Sequence, residues 1–133
     1  MGKILVALTL VCALHIQVAA GAEIEQQALE GKASWYGKHD RTDPSPHIVN
    51  ADGSRFNEKA LTCAMRNRDF GGYYRVTNLA NGKSVIVHHR DYGPARTYRG
   101  KNLGRIVDLS KEAFRAIADL KTGVIDVTIE RVG

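Results

Sequence analysis

Cysteine is nearly absent from this chain. Of 133 residues only two are cysteines, Cys12 and Cys63. Cys12 falls in a leader-like N-terminus, so a mature domain would keep one thiol and could form no internal disulfide. Such a domain must be held by its core alone. Two cysteines also exclude a thiolate-built zinc site, and neither HExxH nor CxxC spacing occurs, so no metal and no cofactor is expected. Proline is scarce: Pro44, Pro46 and Pro94 are confined to two stretches that read as loops. No run of lysine or arginine, no internal repeat and no low-complexity tract is present. The longest apolar run, Ile4–Ile16, is too short to span a bilayer comfortably and suits the core of a signal peptide.

Lys3 supplies the positive charge before that run, and Val18-Ala19-Ala20 offers small residues for a cut before Gly21. Ala20-Gly21-Ala22 would serve equally for a cut before Glu23. An uncleaved membrane anchor is the alternative, but polar Gln17 and small residues follow at once. Val11 stands where a lipidated Cys12 would want a small residue. The expectation is a signal peptide over 1–20, a polar lead-in over 21–30 and one domain over 31–132, with no lipid anchor and no stable membrane insertion. The protein is then periplasmic or secreted. About 113 residues would remain, enough for one compact domain, expected to be monomeric. The formal net charge is +5, and loss of Lys3 leaves about +4. That favours acidic partners. With export and scattered basic residues, cell-wall glycans fit and nucleic acid does not.

The pattern reads as mainly β. Expected strands are Lys32–Tyr36, Ala60–Met65, Tyr73–Thr77, Lys83–Arg90, Arg105–Leu109 and Val124–Arg131. Asn81-Gly82 marks a hairpin, because both residues tolerate positive φ. Gly37–Lys59 and Asp91–Leu103 read as long loops. The one expected helix is Ser110–Leu120: Ser110 can cap it, Ala113, Phe114, Ile117 and Leu120 recur at helical spacing, and Gly123 stops it. Six short strands with one helix suit a small barrel. Cys63, in an apolar run without an obvious base, reads as a buried inert thiol.

Several stretches resemble the rare lipoprotein A family. They are Gly31–Gly37 (GKASWYG), Asp52–Phe56 (DGSRF), Ala60–Thr62, Arg75–Val85 (RVTNLANGKSV), Arg90–Pro94 (RDYGP) and Gly104–Ser110 (GRIVDLS). The matches run in the family's order from Gly31 to Glu130. The resemblance implies a six-stranded double-psi β-barrel related to those of expansins and family-45 endoglucanases. It further implies a lytic transglycosylase that cleaves peptidoglycan strands lacking stem peptides. Three polar positions matter in that family. The Asp falls on Asp91; the Glu falls on Ser54, and the His on Met65. Added residues in the first long loop include His39, Asp40 and His47.

Asp91 alone could carry such chemistry. In a lytic transglycosylase the muramic acid's own 6-hydroxyl attacks the anomeric carbon and closes a 1,6-anhydro ring, so no water need be activated. One carboxyl can act first as acid, then as base. It must hold a proton near neutral pH, which calls for a partly apolar pocket. The alternative for Asp91 is a turn cap before Tyr92-Gly93-Pro94. Asp108 matches an expansin-like carboxylate and is a second catalytic candidate; alternatively it bonds the first turn of the helix. Tyr36, Arg90 and Arg105 are the candidate substrate-binding residues. Trp35 and Tyr36 alternate, so at most one can face a groove, and His88 and His89 must point to opposite faces. A non-catalytic, expansin-like wall-binding barrel is the competing reading.

Overall fold

The structure, a computed structural model, describes residues 27–37 and 48–133. The expected signal peptide, most of the lead-in, and His39, Asp40 and His47 lie outside the described residues. The described residues form eight strands: β1 Leu29–Tyr36, β2 Thr62–Met65, β3 Tyr73–Asn78, β4 Ser84–Tyr92, β5 Thr97–Tyr98, β6 Lys101–Asn102, β7 Arg105–Ser110 and β8 Ile125–Arg131. Six close into a barrel in the order β1-β7-β2-β4-β3-β8. Two neighbouring pairs are parallel, β1 with β7 and β2 with β4; the other four are antiparallel. Full closure leaves no open sheet edge. The remaining two strands, β5 and β6, form a small hairpin inside the stretch expected to be loop.

Alternation builds the core. Along β4, Val85, Val87 and His89 are buried while Ser84 and Ile86 are exposed; along β8, Ile125, Val127 and Ile129 are buried. Val76, Val107, Leu109 and Cys63 complete the interior, and the helix α1, Lys111–Ile117, closes it with Ala113, Phe114 and Ile117. Close packing also fixes one glycine: a Cβ on Gly31 would lie 2.7 Å from the Ile106 side chain. The β3–β4 hairpin turns where Asn81-Gly82 predicts, with Gly82 at φ 71°.

The helix is shorter than its spacing suggests. Ser110 caps it as expected, its Oγ accepting from Ala113 N at 3.3 Å. It ends at Ile117, because Ala118 is extended (φ −157°, ψ 164°). Leu120 instead begins a 3-10 turn, Leu120–Thr122, capped by Asp119, whose Oδ1 accepts from Lys121 N. The end of α1 is tied to the hairpin: Asn78 and Asn81 both donate to the Ile117 carbonyl, at 2.8 and 2.9 Å. Trp35 packs on the core and donates Nε1–H to the Leu120 carbonyl.

Candidate active site

On β7, Val107 and Leu109 face the interior, so Asp108 between them faces outward. On β2, Cys63 and Met65 face the interior, so Ala64 faces outward. Ala64 is paired with Asp108 on one side and with Asp91 on the other. Ser34 of β1 is paired with Asp108. Ser34, Asp108, Ala64 and Asp91 therefore form one row on the outer face, across four strands. At the usual strand spacing the two aspartate Cα atoms lie about 10 Å apart.

Strict alternation along β4 would turn Asp91 inward, beside His89. A bulge prevents this. Cys63 pairs with His89 and Ala64 with Asp91, so Arg90 is an extra residue with no partner on β2. Asp91 thereby joins the outer row. The strand runs on to Tyr92, so Asp91 lies within β4, where the sequence suggests a loop start. The spare carbonyl of Arg90 accepts from Asp52 N at 3.1 Å. That bond anchors a turn over residues 48–56, in the stretch read as loop. The turn is closed by the Val49–Arg55 bridge, with Gly53 at φ 86° at its tip. It roofs the row.

The Asp91 carboxyl is held rigidly. Its Oδ1 accepts from two backbone amides, Ala51 N of the roof and Tyr92 N, each at 2.9 Å. The residue is 8% exposed, sheltered beneath the roof. Ser34 donates its hydroxyl to Asp108 Oδ1 at 3.0 Å. Ser34 in turn accepts from Arg105 Nη1 at 3.1 Å, and the Arg105 Nε is buried without a hydrogen bond. Arg66 fixes this corner from behind, donating to the carbonyls of Arg105 (2.6 Å) and Pro94 (3.2 Å).

Tyr36 shares the outer face. Its ring lies 5.3 Å from that of Phe56 and its hydroxyl 3.5 Å from Thr62 Oγ1. Burial pushes this phenol up, and the charges of Asp91 and Asp108 push it further, so the hydroxyl keeps its proton. One hydroxyl thus senses both carboxylates. Arg90 leans away from Asp91: its Nε donates to His88 Nδ1 at 3.1 Å and stands 3.8 Å from Asp52 Oδ2. The structure therefore brings together Asp91, Asp108, Tyr36 and Arg105, and leaves Arg90 at the rim. Next to it, Arg68 lies 4.7 Å above the exposed Tyr92 ring.

The two positions that depart from the family pattern have physical roles here. Met65 is packed in the core, on the opposite face of β2 from Ala64. Ser54 braces the roof turn: it accepts from Asn50 Nδ2, and its hydroxyl and amide donate to Asp52 Oδ1. His88 stacks on Tyr73 at 4.4 Å, whereas His89 is fully buried, on the opposite face as expected. Cys63 is fully buried, and burial, with Asp108, raises its thiol. Sequence reading missed Ser34, Arg66 and the Ala51 amide. The cluster Asn50, Asp52, Gly53 and Ser54 was the available signal for the roof.

Residues 28–129 match the family model described as "Lytic transglycolase". A relative from Nostoc sp., described as a probable endolytic peptidoglycan transglycosylase RlpA, is 41% identical over 80% of this chain. The chain spans 26% of that relative's length. Two solved structures share the fold. A Streptomyces papain inhibitor aligns with TM-score 0.59 at 21% identity, covering 80% of this chain and 96% of the other. An expansin from Clavibacter michiganensis aligns with TM-score 0.58 at 23% identity, covering 80% and 51%. With a closed six-stranded barrel and this match over most of its length, the chain belongs to the lytic transglycolase family of double-psi β-barrels.

Proposed function

We propose that this protein is an endolytic peptidoglycan lytic transglycosylase acting on glycan strands that lack stem peptides. Asp91 is its acid and base. One observation carries the reading: a bulge turns Asp91 onto the outer face, and two amides lock its Oδ1 there. A rigidly held carboxyl is what a single-residue acid/base needs. The Asp91 carboxyl gives its proton to the glycosidic oxygen as that bond to the anomeric carbon breaks. The resulting carboxylate then takes the proton of the muramic acid 6-hydroxyl, which closes the 1,6-anhydro ring. The proton ends on Asp91 again, and no water is consumed. Asp108, held by Ser34, faces the same row and supplies negative charge that favours the oxocarbenium-like transition state. Tyr36, Arg90 and Arg105 contact the sugar. The protein works in the periplasm or outside the cell as a soluble monomer, after loss of residues 1–20.

The test is digestion of amidase-treated sacculi with mass analysis of the products. Anhydro-muramic ends are expected. Asp91→Asn keeps shape and hydrogen bonding but removes the transferable proton, so activity should fall by roughly 10²–10⁴-fold while glycan binding persists. Reducing ends would indicate a hydrolase using both aspartates. Binding without product, in wild type as in Asp91→Asn, would establish the expansin-like wall-binding barrel instead.

A further inference from the structure

Arg105 serves the opposite end of the row from Asp91, and a second bulge puts it there. Lys32 of β1 pairs with Arg105 and Ala33 with Val107, so Ile106 is an extra residue with no partner on β1. Ala33 and Val107 face the interior, and Ile106 packs on the core against Gly31. Arg105 is thereby brought to the outer face with Lys32. Each of the two parallel strand pairs thus carries one bulge. The one in β4 presents an acid to the row, and the one in β7 presents a cation.

The Arg105 guanidinium is only half used. Its Nη1 donates to Ser34 Oγ at 3.1 Å. Its Nε is buried without a hydrogen bond, and no carboxylate among the described residues forms an ion pair with it. Nearby cations are engaged: Lys32 with Asp126 at 2.8 Å, Arg90 at 3.8 Å from Asp52, and Arg66 on two main-chain carbonyls. Nε and Nη2 share one edge of a guanidinium, the edge that a carboxylate takes with two parallel hydrogen bonds. A buried N–H without a partner on that edge calls for an acceptor from outside the chain.

The substrate proposed above brings one. A stem peptide is joined by an amide to the lactyl carboxyl of muramic acid, so its removal leaves a free carboxylate on that sugar. A carboxylate entering a row that holds Asp91 and Asp108 needs a cation to receive it. Ser34 and Asp91 mark the ends of that row, three strand spacings or roughly 14 Å apart. A glycan that reaches both ends lies along it. We propose that Arg105 is the specificity-determining residue of this site: its Nε–Nη2 edge binds the free carboxylate of a muramic acid lying along the row. The inference rests on the transglycosylase reading and explains how strands without stem peptides are selected. An amide at the same position offers one oxygen and no charge, so the fork loses its match.

A small neutral block separates charge from bulk. Coupling methylamine to the muramic carboxylates of amidase-treated strands removes the charge and adds little volume. Wild type should release anhydro ends from blocked strands with kcat/KM lower by roughly 10- to 100-fold, the scale of hydrogen bonds to a charged group. Arg105→Gln should treat unblocked and blocked strands alike. The ratio is taken within each protein, so a general loss of activity through Ser34 and Asp108 does not mimic the result. Equal kcat/KM of wild type on both strands overturns the proposal, as does an Arg105→Gln that keeps the wild-type ratio. Nitrogen-15 NMR of the wild-type full chain needs no variant. Naked glycan fragments should shift the Arg105 Nε–H resonance, and methylamide-blocked fragments should not. A resonance that ignores the free carboxylate overturns the proposal too. If wild type yields no anhydro ends from any strand, the transglycosylase reading fails, and the NMR arm still decides whether Arg105 takes the carboxylate.

Discussion

Ser34 hands its hydroxyl proton to Asp108 Oδ1 over 3.0 Å while accepting from Arg105 over 3.1 Å. A serine with one donor can serve only one acceptor, so the chain Arg105–Ser34–Asp108 has a direction. It ends on a carboxylate that faces the same row as Asp91. Asp108→Asn leaves an oxygen to accept from Ser34, so the fold should hold, and activity should fall by less than in Asp91→Asn. Ser34→Ala removes the donor to a charged group and should cost about 1.5–3 kcal/mol. Thermal unfolding of both variants, alongside product assays, checks this. An Asp108→Asn as inactive as Asp91→Asn would make the two aspartates equal partners.

The roof should loosen in acid. Burial raises the Asp52 carboxyl, but the Ser54 bonds and the Arg90 charge lower it by more, so its net position is below the usual carboxylate value. A carboxyl lowered by folding contributes stability that is present above its unfolded value and lost as pH falls through its folded one. The roof turn should therefore open only below about pH 4. Amide exchange of Ala51 and Ser54 across pH 3–7 measures it. Asp52→Asn should remove the pH dependence, and a turn that opens first at neutral pH would contradict this account.

Cys63 should be silent to thiol reagents. Burial first, and then Asp108, holds the thiol well above its ordinary value, so almost no thiolate exists at pH 8. Iodoacetamide should leave Cys63 unmodified in the folded protein and alkylate it in denaturant. Rapid labelling of the native state would mean that the β2–β7 wall opens locally.

The end of α1 depends on one buried amide. Asn78 is 4% exposed, donates to the Ile117 carbonyl and accepts from Ala80 N at 3.0 Å. Asn78→Ala removes two hydrogen bonds made from a buried position and should cost about 1–3 kcal/mol. Asn81 bonds the same carbonyl from an exposed position, where water can replace it. Asn81→Ala should cost less. Chemical denaturation of the two variants gives the ordering, and equal losses would show that burial is not what matters here.

These comparisons show which features local sequence can carry. The β3–β4 hairpin, β8 and the Ser110 cap were legible because each is written in adjacent residues: a turn pair, a period of two, a hydroxyl before a helical run. That Trp35 and Tyr36, like His88 and His89, face opposite ways followed from alternation alone; which of each pair turns inward did not. The extension of β4 through Asp91 was not legible, since Gly93-Pro94 signals a break and the bulge depends on the register of β2. Nor was the halt of α1 at Ile117. Leu120 continues the apolar spacing, and only Asp119, capping the next turn, hints at the interruption. Ser34 lies far from Asp108 in sequence, and only closure of the barrel brings them together.

The unpaired residue in β4 means that backbone presence and side-chain identity carry separate information at position 90. Substituting Arg90 would probe its contacts with Asp52 and His88 and its proposed contact with the sugar. Deleting it would give β4 a regular ladder and leave Asp91 facing the same way, opposite Ala64. What would vanish is the spare carbonyl that carries Asp52 N, and with it the hinge pin of the roof. A mutational survey limited to replacements would report on those side-chain contacts alone. A shortening by one residue would expose a lock that has no side chain.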